Sequence, residues 1–200
     1  MNSPTLMFDL GGVFIELTGV TKMLEWTQNR LSVDDLWDIW FASDHVKGFE
    51  TGQMDDLTFA RGIVDEFDLA INSHEFLFHF SSWSNHLFPG SRKLLSHLKE
   101  NYTLACLSNT NAIHWKNMCD KFNIDRYFHF NFPSHMIGKV KPELDTFTFV
   151  IDQLATPPDQ IYFFDDNPDN IQNAAKAGLK AFRVVGIQEL NETLSRLSLV

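Results

Sequence analysis

The chain has 200 residues, 44% of them hydrophobic and 21% charged, with a formal net charge of −10, which describes a globular chain with core enough for one domain and a small inserted one, and argues against disorder. The acidic balance argues against nucleic acid and anionic membrane as partners, because counterion release needs a basic surface that is absent here. A small anionic substrate stays compatible, since a lysine or a metal reverses the field inside a single cleft. Cys106 and Cys119 are too few for a disulfide framework and read as reduced core thiols. No leader of signal-peptide form precedes the first strand, and no run approaches the roughly 20 apolar residues of a membrane span, so a cytoplasmic address is expected.

In chain order, the apolar run Leu6-Met7-Phe8 carries straight into Asp9, and Gly11-Gly12 lets the backbone bend beside that carboxylate. Phe14–Leu17 reads as a short extended flap. Apolar residues at three- and four-residue spacing then predict four helices, over 20–30, 33–42, 55–67 and 73–82, with no strand between them. Thr51-Gly52-Gln53 punctuates this block and Leu87-Phe88-Pro89-Gly90 closes it. Trp26, Trp37, Trp40 and Trp83 read as core of a small bundle rather than as a partner surface.

From Ser91 the pattern alternates: a helix over 91–100, a strand over 102–107, a helix over 112–122 and a short strand over 127–130. A helix from Pro142 to about Leu154, a strand over 161–164, a helix over 169–176 closed by Gly178 and a strand over 180–185 follow. Such alternation implies parallel strands with right-handed crossovers and helices on both faces. The first strand must join that sheet, so the expected architecture is α/β, a Rossmann-like parallel sheet core over 1–16 and 87–200 with a helical-bundle cap inserted over 17–86.

Three of the expected strands end in polar tips: Asp9, then Ser108-Asn109-Thr110-Asn111, then Asp165-Asp166-Asn167. Between the last two, Gly138-Lys139-Val140-Lys141-Pro142-Glu143 places a lysine before a proline that can open a helix. Open parallel sheets bind ligands beyond the carboxyl ends of their strands, which gives these residues a common address. Each also has a plain structural reading: Asp9 in an ordinary turn, Ser108 as a helix cap, Lys141 as a solvated surface lysine. Their occurrence together, in this order, favours function.

The set resembles the haloacid dehalogenase (HAD) superfamily of aspartyl-phosphate phosphatases and dehalogenases, from Leu6 to about Gly178. The Asp-Leu-Gly-Gly-Val form resembles its branch of sugar-phosphate and small-metabolite phosphatases. The resemblance implies Asp9 as nucleophile and Mg²⁺ held by Asp9, Asp166 and the Gly11 carbonyl. It also implies that Asp165 positions Lys141, that Ser108, Asn109 and Lys141 hold the substrate oxygens beside Gly12, and that a helical cap follows the first motif.

One position departs from the pattern. Many phosphatases of the superfamily carry a second aspartate two residues after the nucleophile, as general acid and base, where this chain has Gly11. Glu16 or His45 would be replacements. Substrate choice is expected from the cap around 43–52, with His45, Lys47 and Glu50 as polar candidates. The expected function is Mg²⁺-dependent hydrolysis of small phosphate monoesters, sugar phosphates among them, through an aspartyl-phosphate on Asp9. A metal-independent 2-haloacid dehalogenase and a non-enzymatic interaction protein are the alternatives. His74 and His79 lie five apart, so they do not share the helix face a zinc site needs.

Overall fold

The computed structural model describes residues 4–84 and 86–200. β1 (Thr5–Phe8) is buried at every position, as a strand is when both faces of a parallel sheet are covered. The chain then leaves the sheet through β2 (Ile15–Glu16). It passes five helices, α1 (Gly19–Trp26), α2 (Val33–Ala42), α3 (Asp44–Glu50), α4 (Asp56–Glu66) and α5 (Ser73–Phe80), and returns through β3 (His86–Leu87). β2 and β3 pair antiparallel, Ile15 opposite Leu87. The remainder is α6 (Ser91–Asn101), β4 (Thr103–Ser108), α7 (Ala112–Phe122), β5 (Phe130–Pro133) and α8 (Ser134–Ile137), then α9 (Leu144–Leu154), β6 (Ile161–Asp165), α10 (Pro168–Lys176), β7 (Lys180–Arg183) and α11 (Gly186–Arg196). The sheet order is β5-β4-β1-β6-β7, with every pairing parallel. The first strand in sequence is therefore the central one.

The two-residue period of the strands sorts their side chains between two cores. Leu6, Phe8, Leu104, Cys106 and Phe164 pack with Leu95 and Leu98 of α6, Met118 of α7 and Leu190 and Leu194 of α11. Met7, Ala105, Leu107, Ile161 and Phe163 pack on the other face with Phe147 and Val150 of α9 and Ala174 of α10. A third cluster lies wholly outside the sheet, where Met23, Leu36, Phe49, Phe59, Ile63, Phe76 and Phe80 join the five inserted helices. Trp26, Trp37, Trp40 and Trp83 pack against that cluster, and Trp40 meets the rings of Phe59, Phe67, Phe80 and Trp83.

Several element boundaries differ from the sequence reading. The inserted block has five helices rather than four, because Ser43 turns extended (ψ 124°) and its hydroxyl accepts the Val46 N–H, opening α3. α1 stops at Trp26 since Gln28 and Asn29 adopt left-handed backbone. The expected strand over 127–130 is displaced to Phe130–Pro133. Ile124–Tyr127 instead forms a 3₁₀ turn after left-handed Asn123, and the register that aligns Ala105 with Phe130 fixes the strand. α9 begins at Leu144 rather than Pro142, with Glu143 folded back on the Val140 carbonyl. The amphipathic α11 was not anticipated, although Ile187, Leu190 and Leu194 carry helical spacing.

The inserted helices are tied to the sheet domain by α7. His114 Nε2 donates to the Phe80 carbonyl at 2.6 Å and its ring stacks on Phe80, while the Asn117 amide donates to Ser81 O at 2.7 Å. The carbonyl fixes the tautomer: Nε2 carries the proton, and Nδ1 accepts from Asn111. Burial pushes the His114 pKa down to about 4. A histidine depressed in the fold binds its proton only after unfolding, so its stabilising neutral form is fully present above about 6.5 and is lost as pH falls toward 4. We expect the stability advantage of the wild type over His114→Gln to shrink by about 2 kcal/mol between pH 7.5 and pH 4.5, read from urea unfolding at the two pH values.

Candidate active site

Continuing the alternation past the strand ends puts Asp9 and Asp165 on the Met7 and Phe163 face of the sheet, the face that α9 covers. Asp9 N–H extends the ladder to the Phe164 carbonyl at 2.9 Å, so the two aspartates stand side by side at neighbouring strand tips. Lys141 lies between them. Its ammonium is 2.6 Å from Asp165 Oδ2 and 3.0 Å from Asp9 Oδ2. The Lys141 side chain is 1% exposed and that of Asp165 is fully buried, which makes the pair part of the core rather than a surface bridge.

The lysine is held from both ends. The Asn109 carboxamide is clamped to the Lys141 backbone, its Nδ2 donating to the carbonyl at 2.8 Å and its Oδ1 accepting the N–H at 2.9 Å. Asp165 in turn accepts from the Asn167 N–H at 2.8 Å and from Asn170 Nδ2 at 2.9 and 3.0 Å. Asp165 is thereby committed on both oxygens. Asn109 was expected to face substrate with its amide; the structure engages its side chain with Lys141 instead. Ser108, buried at the end of β4, stands opposite Pro133 in the β5 register. The loop after Ser108 is anchored by Ser134, whose hydroxyl bridges the Thr110 N–H and carbonyl.

Asp166 takes the other side of the tip. Gly12, at φ +68°, packs against it so closely that a Cβ there would run into the Asp166 carboxylate, so the Gly-Gly turn is what admits the side chain. Ligand oxygens of Asp9, Asp165 and Asp166 lie within 4.8 Å of one another. Two of these carboxylates contact the Lys141 ammonium and the third stands beside them, which leaves the cluster short of positive charge. Burial, with Asp165 and Asp166 adding repulsion, lifts Asp9 to about 7 against the pull of Lys141. Burial and Asp165 likewise raise Asp166. For Lys141 the two aspartates outweigh desolvation and hold it charged. An oxygen-only donor set, short of positive charge and with Asp165 already saturated, suits a hard divalent cation seated by Asp9 and Asp166.

The remaining polar candidates separate. His45 Nδ1 pairs with Glu66 at 2.6 Å and packs against Gly62, inside the helical block, and Glu16 is exposed on β2 opposite His86. Neither is brought to Asp9. Lys47 spans to Glu143 at 2.5 Å. Glu50, at the end of α3, is pushed up to about 7 by burial, and the charges acting on it are those of Lys141 and Asp9. Sequence reasoning missed Asn170 and Ser134 altogether. The Asp165-to-Asn170 spacing at a helix entry opened by Pro168 was the one signal for Asn170.

A family model for haloacid dehalogenase-like hydrolases matches residues 63–184, more than half of the chain, and this chain belongs to that family. The matched span holds Ser108, Lys141, Asp165 and Asp166; Asp9 precedes it. Among solved structures, a predicted HAD-like family hydrolase of Porphyromonas gingivalis is 20% identical, covering 99% of this chain and 98% of that one at TM-score 0.78. A HAD-family enzyme of Bacteroides thetaiotaomicron, in complex with magnesium and inorganic phosphate, is 24% identical, with coverage of 91% and 94% and TM-score 0.74. A dehalogenase is 16% identical with coverage of 97% and 96% and TM-score 0.69. These likenesses show the fold. The chain is also 38% identical over 50 residues to drimenol cyclase drtB of Aspergillus calidoustus, and spans about 10% of the length of that protein.

Removing the ammonium leaves Asp9 and Asp165 buried against each other. Lys141→Met is expected to lose about 3–5 kcal/mol of folding stability, measured by urea unfolding in EDTA.

Proposed function

We propose that this hydrolase cleaves small phosphate monoesters, sugar phosphates among them, through an aspartyl-phosphate on Asp9. The observation that carries the reading is the buried tip cluster, in which Lys141 lies 3.0 Å from Asp9 and 2.6 Å from Asp165 with the Asp166 carboxylate beside them. A carboxylate oxygen positioned in line attacks phosphorus and splits one difficult step into two. Lys141 orients that oxygen and offsets part of the charge of the incoming phosphoryl group. In this reading Ser108 and the backbone by Gly12 hold the substrate oxygens, while Asn109 and Asp165 keep Lys141 in place. Mg²⁺ bound by Asp9, Asp166 and the Gly11 carbonyl would neutralise phosphoryl charge as a Lewis acid. The oxygen-only donors and their net negative charge support this ion, as does the magnesium and phosphate complex of the Bacteroides relative.

The helices of 17–86 form, in this reading, the cap over the strand tips, which favours a small metabolite over a polymer. Nucleic acid, anionic membrane and a compartment that forms disulfides are not part of it. Among the described residues, no helix is long and apolar enough to cross a membrane. The metal-independent dehalogenase is the weaker reading, because a carboxylate substrate would meet three clustered acids, two of which already share Lys141.

Release of phosphate from p-nitrophenyl phosphate and from a panel of sugar phosphates is expected with Mg²⁺, to vanish in EDTA, and to be abolished by Asp9→Asn. Halide release from 2-haloacids without metal, and no phosphate release, would reverse the assignment. Neither activity would favour an interaction protein.

A further inference from the structure

Hydrolysis of an alkyl phosphate needs a proton for the departing oxygen and a base for the attacking water, and the tip cluster offers no free group for either. Asp165 is saturated by Lys141, Asn167 and Asn170; Lys141 is shared by two carboxylates; Asp9 forms the bond to phosphorus; Asp166 is given to the metal in the phosphatase reading; and position 11 is glycine. The cap supplies a carboxyl. α3 turns Val46 and Phe49 into the helical core, and Lys47 and Glu50, one turn apart, share a different stripe. This end of α3 and the turn after it meet the sheet domain at two points. Lys47 pairs with Glu143, two residues beyond Lys141, at 2.5 Å, and Gly52 presses on the His135 carbonyl with no room for a Cβ. Glu50 lies between these anchors. Among the described residues its carboxyl takes no hydrogen bond, and Lys141 and Asp9 are the charges that act on it.

We propose that Glu50, presented by the cap at this docked edge, is the catalytic acid and base of the reaction. The proposal rests on the phosphatase reading. In the first half-reaction an Asp9 oxygen bonds to phosphorus, the ester P–O bond breaks, and the Glu50 carboxyl gives its proton to the leaving oxygen. In the second, water bonds to phosphorus, its proton passes to the Glu50 carboxylate, and the bond to Asp9 breaks, releasing inorganic phosphate and restoring both groups. Burial that lifts Glu50 to about 7 puts both its protonated and its ionised forms within reach near neutrality, as the two roles require. Delivery of this group from the cap would also couple proton transfer to the seating of α3 on the Lys141 loop.

The test compares wild type, Glu50→Gln and Glu50→Asp, with Mg²⁺, on p-nitrophenyl phosphate and on alkyl phosphates such as glycerol and sugar phosphates. p-Nitrophenolate departs without a proton, whereas an alkoxide does not. We expect Glu50→Gln to lose about 10²–10⁴-fold in kcat/KM on alkyl esters and less than tenfold on the aryl ester. Glu50→Asp, which keeps a titratable carboxyl, should regain part of the alkyl activity, and it carries the comparison should Glu50→Gln fail to fold. Equal losses on the two ester classes, or no loss, would overturn the role of Glu50 and leave the phosphatase standing. A wild type that hydrolyses neither class would overturn both.

Discussion

The Lys141 ammonium, buried between Asp9 and Asp165 at the tips of adjacent strands, is the interaction on which the rest of this structure depends. A charge buried this deeply is tolerable only when its partners are close and themselves satisfied. Both conditions are met by groups from elsewhere in the chain: Asn109 grips the lysine backbone, and Asn170 and the Asn167 N–H complete Asp165. The same arrangement requires β1 and β6 to be neighbours with Phe8 aligned to Phe164. Shifting that register by one residue would turn Asp9 to the opposite face and leave the lysine with half its counter-charge.

In the proposed reading, fold stability and chemistry draw on the same side chains. A reactive carboxylate needs a nearby cation and a dry, positioned setting, and a buried lysine needs carboxylates. The glycines after Asp9 serve this geometry rather than flexibility in general. Gly12 holds left-handed backbone where a Cβ would collide with Asp166, so the third acid can approach only because that residue has no side chain.

The inserted helices leave the sheet and return to it through the paired β2 and β3 segments, and they have a hydrophobic cluster of their own. Two kinds of contact hold them against the sheet domain. The α5 end is fastened by neutral hydrogen bonds from His114 and Asn117, and the α3 edge by the exposed Lys47–Glu143 pair. Exposed pairs contribute little to stability, so the Lys47–Glu143 pair by itself holds the α3 edge weakly.

What the sequence determined by itself was local and periodic. Unbroken apolar runs ending at Asp9, Ser108 and Asp165 specify buried parallel strands with polar tips, and the three- and four-residue spacing of the middle block specifies amphipathic helices. Lys141 could be named from its motif, because a lysine before Pro142 is visible in one dimension. Tertiary structure decided what depends on which residues meet across long separations. The strand over 130–133 is set by pairing with β4, not by its own composition. Asn109 turned to the Lys141 backbone rather than outward because two unpaired backbone groups lay there. Glu50 reads in the sequence as one of several polar cap residues; only the docking of α3 separates it from His45, which is spent on Glu66. Burial and charge at a site are properties of what surrounds a residue in space, and spacing along the chain does not carry them.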